Sequence, residues 1–172
     1  MRHVALIRNL NQGQRGHAST ADLVAAFTDA GCRNPTPFQS NGTVVFEGEA
    51  CLAADAMSAL AARTGVAREV FVLELDELVD IVTAHRDADD AARREFTAHA
   101  PVTITLDDEA AREAARRRCV LLETGRGWTI AVDERDRESN ATPVIERLTG
   151  APATSRGIPT LARLADRFST RR

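Results

Sequence analysis

The chain has 172 residues, a formal net charge of -3 and 44% hydrophobic residues. This length suggests one domain or two small subdomains, and the hydrophobic content excludes a disordered chain. No apolar run reaches the roughly 18 residues of a membrane span, and the charge excludes a global attraction to nucleic acid or anionic lipid. All 22 basic residues are arginine, so Schiff-base and P-loop lysines are excluded.

The chain opens with a strand and a helix. Residues 3–8 predict a strand, and the N-terminus leads into it without the pattern of a signal peptide. Ser19 followed by Asp22 is typical of a capping box, which starts a helix that we predict to end at Gly31.

A hairpin and a further helix come next. Residues 36–40 and 43–47 predict two strands joined at Asn41-Gly42, a strong hairpin signal because both residues tolerate positive φ. A helix at 51–63 and a strand at 69–73 complete the order β-α-β-β-α-β. This order is the split βαβ arrangement of ferredoxin-like folds.

The rest of the chain predicts a weak repeat of the same order. Its predicted elements are a helix at 76–85, a charged loop or ragged helix at 86–94, a strand at 102–106, a helix at 108–117, strands at 119–123 and 128–132, and helices opened by Pro143 and Pro159. We therefore predict an α+β fold of two ferredoxin-like subdomains, at 1–75 and 101–172, with a helical and charged connection at 76–100.

Two predicted strands are apolar on both faces. Residues 4–7 and 70–73 lack the alternation that a sheet with one solvated face should show. We therefore expect the second face to be covered by the other half, by extra helices or by a second copy of the chain.

Topology predicts one end of the first subdomain at which polar residues gather. In a split βαβ unit the loop after the first strand, the start of the first helix and the central hairpin share that end. The predicted residues are Arg8, Asn9, Asn11, Gly13, Arg15, His17, Gln39, Ser40 and Asn41. Helix starts and arginines attract anions, so we predict a pocket for a small anionic or polar ligand. The alternative is a pair of polar turns that satisfy only local backbone groups.

Three stretches carry a family resemblance: residues 4–13 (VALIRNLNQG), residues 39–46 (QSNGTVVF), and residues 153–156 (ATSR) with Thr160. Together they resemble domain of unknown function 1697, a family of uncharacterised bacterial proteins. The resemblance implies two ferredoxin-like subdomains and no established activity. Arg156 matches the family's late motif and joins the candidate site residues.

The sequence lacks familiar catalytic, cofactor and metal motifs. There is no Gly-x-Ser-x-Gly stretch, and His85 with Asp89 lacks the paired His or Cys spacing of a zinc site. We therefore expect no cofactor and no metal. Aromatic residues make up 4% of the chain with no tyrosine, which argues against RNA bases stacking on a sheet.

The three cysteines, Cys32, Cys51 and Cys119, are widely spaced and odd in number. This pattern argues against a disulfide framework and favours a reducing, cytoplasmic location. Cys51 is predicted in a first helical turn, where a thiolate is favoured, but an inert cysteine is the preferred interpretation.

Three functional hypotheses follow. The first is a small anionic-ligand binding or regulatory module. The second is a protein-interaction or structural module, which predicts a homodimer or a partner protein. The third and least favoured is an enzyme that uses His17 as a general base, because no orienting carboxylate lies in the same loops.

Overall fold

The computed structural model describes residues 1–169, and the chain divides into two compact units at Leu78 and Val79. The first unit contains β1 (Arg2–Ile7), α1 (Thr20–Asp29), β2 (Arg33–Phe38), β3 (Thr43–Glu47), α2 (Leu52–Thr64) and β4 (Val70–Glu74). Helix α3 (Leu75–His85) runs across the point of division. The second unit contains a 3-10 turn (Ala91–Arg93), β5 (Arg94–Ala98), α4 (Asp108–Arg116), β6 (Cys119–Gly125), β7 (Trp128–Asp133), α5 (Ala141–Thr149), β8 (Thr154–Gly157) and α6 (Ile158–Phe168).

Each unit contains one four-stranded antiparallel sheet. The strand orders are β2-β3-β1-β4 and β6-β7-β5-β8, so the first strand of each unit lies between its third and its fourth. The predicted α+β fold of two ferredoxin-like subdomains is confirmed. Within residues 1–169, no helix is both long and apolar enough to span a bilayer.

The core of the first unit forms between one face of its sheet and two helices. Ile7 and Phe46 on the sheet pack with Leu23 and Phe27 of α1 and with Leu60 of α2. The Phe27 and Phe46 rings lie 5.4 Å apart between centroids. Val4 and Leu6, on the opposite face of β1, are also buried, as expected from a strand that is apolar on both faces.

The prediction of a strand at 102–106 is wrong. The first strand of the second sheet is β5, which lies within the stretch 76–100 that we predicted as a connection. Residues 102–106 alternate apolar and polar side chains, but they have no regular structure, because β5 takes the position beside β7. Strand β5 was not predicted because it begins with two charged residues, Arg94 and Glu95, which are unusual in a buried strand. Glu95 is buried here because it accepts a hydrogen bond from the Ala141 amide, 46 residues away in the sequence.

Strand β8 was missed as well. Its sequence, Thr-Ser-Arg-Gly, has no hydrophobic residue, so it gives no strand signal. It forms because β5 offers a free edge, on which Thr97 faces Ser155 and Phe96 faces Arg156. With β8 in place, the second unit has the complete β-α-β-β-α-β order of the first.

Candidate functional site

The loop after β1 and the hairpin between β2 and β3 lie side by side. Leu6 faces Thr43 across the sheet, so the end of β1 meets the beginning of β3. The Ile7 amide donates to the Gly42 carbonyl oxygen at 2.8 Å, and the Gln12 amide donates to the Ser40 carbonyl oxygen at 2.9 Å. We call residues 8–19 and 39–42 the loop junction. The predicted meeting of these segments is confirmed.

Gln12 organises the loop junction. Its side chain is 9% exposed, its Nε2 donates to Thr20 Oγ1 at 3.1 Å, and its Oε1 accepts from the Gly42 amide at 3.3 Å. One amide group therefore ties together the loop, the start of α1 and the hairpin. Sequence patterns do not indicate this role, because the structure alone brings Thr20 Oγ1 and the Gly42 amide to the Gln12 side chain.

Left-handed backbone conformations shape the loop junction. Asn9 has φ of 55° and Gln39 has φ of 57°, which are uncommon values for residues other than glycine. Gly42 has φ of 73°, and a Cβ there would lie 3.0 Å from the Ile7 carbonyl oxygen. Only glycine therefore allows the hairpin to approach β1 this closely.

The start of α1 carries its own carboxylate. Ser19 Oγ accepts from the Asp22 amide at 3.0 Å, while Asp22 Oδ2 accepts from the Ser19 amide at 3.3 Å. These bonds confirm the predicted capping box. Because Asp22 already places negative charge at this helix start, a bound anion would depend on the arginines of the loop junction.

Two predicted arginines have different surroundings. Arg8 is half-buried, and its Nη1 lies 3.9 Å from Glu69 Oε2, a loose ion pair with an exposed partner. Arg15 is exposed in the middle of the loop. A third arginine, Arg68, donates from Nη1 to the Asn9 carbonyl oxygen and adds positive charge that the sequence did not point to.

His17 closes the loop on itself. Its Nδ1 accepts from the Asn11 amide at 3.0 Å, so the neutral imidazole carries its proton on Nε2. The Gly13 amide donates to the Ala18 carbonyl oxygen at 3.2 Å within the same turn. Gln39 and Ser40 are exposed, and Asn41 is half-buried, so the hairpin also presents polar groups to solvent.

Arg156 belongs to the second unit, unlike the other predicted residues. It lies on β8, is 8% exposed, and donates from Nη1 to Thr154 Oγ1 at 2.8 Å and to the Ser155 carbonyl oxygen at 2.9 Å. Burial lowers the pKa of its guanidinium to about 10. These contacts give Arg156 a part in holding β8.

His85 is bound within a network of charged side chains. Its Nδ1 meets Arg94 Nη1 at 2.7 Å and its Nε2 meets Glu123 Oε2 at 2.8 Å. Arg94 also donates to Asp90, and this hydrogen bond lowers the pKa of that carboxyl. Over residues 1–169, no group of three or more His, Cys, Asp or Glu side chains is placed to hold a metal ion.

The second unit has a polar cleft of about 580 Å³ that the sequence did not predict. Its charged lining residues are Asp107, Glu109, Arg112, Glu113, Arg116 and Arg147. Because three carboxylates stand among three guanidinium groups, the lining has no net preference for an anion. A smaller apolar groove of about 190 Å³ lies between α4 and β6.

These two sheets of identical strand order define an α+β protein built from two split βαβ units. Residues 1–124 match the family described as "Protein of unknown function (DUF1697)", and the chain belongs to that family. The late stretch at 153–156 and Thr160, which also carried the resemblance, lies outside the matched residues.

Matches among solved structures include two bacterial proteins. The conserved bacterial protein SP0830 from Streptococcus pneumoniae is 16% identical over 98% of both chains, with a TM-score of 0.62, and supports the fold alone. A microcompartments protein from Desulfitobacterium hafniense DCB is 13% identical over 91% of this chain and 94% of its own, with a TM-score of 0.29. No curated protein matches the chain.

Proposed function

We propose that the chain binds a small anionic ligand at the loop junction of its first unit and acts as a binding or regulatory module. The observation that carries this proposal is the bonding of Gln12 to both Thr20 and Gly42. These bonds fix the loop against the hairpin, so the polar groups around them are held in place before a ligand arrives. Such preorganisation reduces the entropy lost on binding.

The charges around the loop junction favour an anion. Arg8, Arg15 and Arg68 contribute three positive charges, against the carboxylates of Asp22 and Glu69. Arginine is suited to phosphate and carboxylate because its guanidinium donates two parallel hydrogen bonds. We assign charge recognition to Arg8 and Arg15, and orientation to the side chains of Asn11 and Ser40.

Thermal denaturation of the full chain with inorganic phosphate, pyrophosphate, a nucleoside triphosphate and citrate tests the proposal. A probe present at about 100 times its Kd adds roughly 2.7 kcal/mol of stability, or about 5 to 10 °C in a chain of this size. We expect at least one probe to raise the melting temperature, and Arg15→Ala to reduce the rise.

Arg33→Ala is the matched control. Arg33 is exposed on β2 of the same sheet, where it faces Glu47 at the end away from the hairpin. The proposal requires Arg33→Ala to respond to the probes as the wild type does. It fails if none of the four probes shifts the melting temperature, or if both variants reduce the shift equally.

A homodimer or partner-binding module is the second candidate, and one observation favours it. Val120 and Leu122 lie on the edge strand β6 with 57% and 37% of their surface exposed. Exposed apolar residues on a sheet edge favour pairing with another chain. Light scattering should then show a dimer that Val120→Thr with Leu122→Thr weakens, and a strict monomer at high concentration contradicts this candidate.

The remaining inferences are narrower. We infer a cytoplasmic location, which the free thiols of Cys32, Cys51 and Cys119 support. Nucleic acid is disfavoured as the ligand, because the chain is acidic overall. An enzyme using His17 as a general base remains the least favoured alternative, since His17 Nδ1 already accepts a bond from Asn11.

A further inference from the structure

Two carboxyl groups are buried together in the second unit. Glu95 on β5 and Asp133 at the end of β7 are 3% and 1% exposed, and the negative charge of Asp133 acts on Glu95. Glu95 Oε1 also accepts from the Ala141 amide at 2.6 Å, and Asp133 Oδ1 accepts from the Asn140 amide at 3.1 Å. Asn140 is the N-cap of α5 and makes no side-chain capping bond. Carboxyl groups from two strands therefore cap this helix in its place.

Two ionised carboxylates in contact repel each other strongly at a buried site, so one shared proton is favoured. Burial and the neighbouring charge of Asp133 raise the pKa of Glu95 to about 7, against the opposing bonds from Ser139 and Ala141. Burial also raises the pKa of Asp133, against the Asn140 amide.

We propose that Glu95 and Asp133 form a proton-controlled latch on α5. When the pair shares one proton, both carboxyl groups hold the start of the helix on the sheet. When both groups ionise, their repulsion loosens residues 134–140 and the first turn of α5.

The charge of the Glu95 and Asp133 pair depends mainly on whether the pair itself holds a proton, as the groups around it show. Burial and the two acids raise the pKa of the Cys119 thiol on β6 to about 12, so this thiol stays neutral. Arg93, next to β5, donates to the main-chain carbonyl oxygens of Asp133 and Glu134. The carboxylate of Glu138, in the loop before α5, adds negative charge beside Asp133.

Nuclear magnetic resonance of the full chain between pH 5.5 and 8.5 tests the latch. We expect the side-chain carboxyl carbon of Glu95 to titrate near pH 7. Over the same range, the hydrogen-exchange protection of the Asn140 and Ala141 amides, corrected for intrinsic rates, should fall by about tenfold or more. A tenfold fall is the effect of a pKa that differs by about one unit between the closed and the open state. In Glu95→Gln this protection should not change with pH, because glutamine keeps the acceptor for Ala141 and does not ionise.

Glu134→Gln is the control, since Glu134 is an exposed acid of the same loop and should leave the wild-type response unchanged. Asp133→Asn is a second variant in case Glu95→Gln does not fold, and it should also remove the pH response. A Glu95 carboxyl that titrates below pH 5 overturns the latch. The latch is also overturned if the protection of Asn140 and Ala141 in the wild type does not change with pH. The same holds if the protection still falls with rising pH in whichever of Glu95→Gln and Asp133→Asn folds.

Discussion

The two units share a strand order and differ in where they place polar groups. In the first unit, the buried face of the sheet and its helices is apolar, and polar groups gather at the loop junction around neutral Gln12. In the second unit, ionisable and hydroxyl groups enter the interior, as in the contact of Glu95 with the start of α5. The comparison shows that one topology can be completed by apolar packing or by buried hydrogen bonds.

The second unit carries this difference further through its hydroxyl groups. Ser155 Oγ lies 2.7 Å from Thr97 Oγ1 and 2.6 Å from Thr142 Oγ1, so one serine joins two strands and a helix. His99 Nε2 meets Thr129 Oγ1 at 3.0 Å, and burial lowers the pKa of this imidazole. Stability of the second unit should therefore depend on pH more than that of the first.

The largest effect should come from the apolar core of the first unit. Phe46 is fully buried between the His3 and Phe27 rings, at 5.5 and 5.4 Å. Phe46→Ala should cost roughly 3–5 kcal/mol of unfolding free energy, because it removes contacts and leaves a cavity. Chemical denaturation measures this cost, and Val66→Ala, at an exposed position, should change it by less than about 0.5 kcal/mol.

The next effect should be a pH dependence in the second unit. The folded pKa of Glu95, about 7, exceeds its reference value of 4.5, so the folded chain holds this proton longer than the unfolded chain. The contribution of Glu95 is therefore fully present below pH 4.5 and lost as pH rises through about 7. The loss should approach about 3 kcal/mol.

Denaturation at several pH values isolates this contribution as the difference between the wild type and Glu95→Gln. The unfolding free energy of the wild type, relative to that of Glu95→Gln, should decrease as pH rises. If the difference in unfolding free energy between the wild type and Glu95→Gln stays constant between pH 4.5 and 8, the buried pair does not make the second unit more dependent on pH than the first.

A smaller effect should come from the bonds of Gln12. Gln12→Met keeps the length of the side chain but removes its bonds to Thr20 and to the Gly42 amide. Leaving a buried amide unpaired should cost about 1–2 kcal/mol. Gln14→Met, in an exposed position of the same loop, should leave the unfolding free energy almost unchanged, and equal losses in both variants would contradict the role of Gln12.

The smallest effect should come from the helix cap at the loop junction. Ser19→Ala removes the acceptor of the Asp22 amide and should cost about 1 kcal/mol. Ser19→Thr keeps the hydroxyl and should restore most of that loss. Thermal denaturation of both variants checks this, and a threonine variant as unstable as the alanine variant would remove the capping account.

Local signals explain why the first unit was well predicted from the sequence. The Asn41-Gly42 turn, the Ser19 and Asp22 pair, and Gly65 at the end of α2 each fix an element through neighbouring residues. Strands β5 and β8 of the second unit depend on partners far away in sequence, because Glu95 is satisfied by Ala141 and β8 by pairing with β5. The same reason conceals Gln12, whose partner Gly42 lies 30 residues away.

The most direct test of ligand binding at the loop junction is a titration of the 15N-labelled full chain with pyrophosphate. We expect saturable shifts of the Asn11, Gly13 and Gly42 amides in the wild type and in Arg33→Ala, and weaker binding in Arg15→Ala. Shifts that are absent from these amides, or that persist unchanged in Arg15→Ala, would contradict ligand binding at the loop junction.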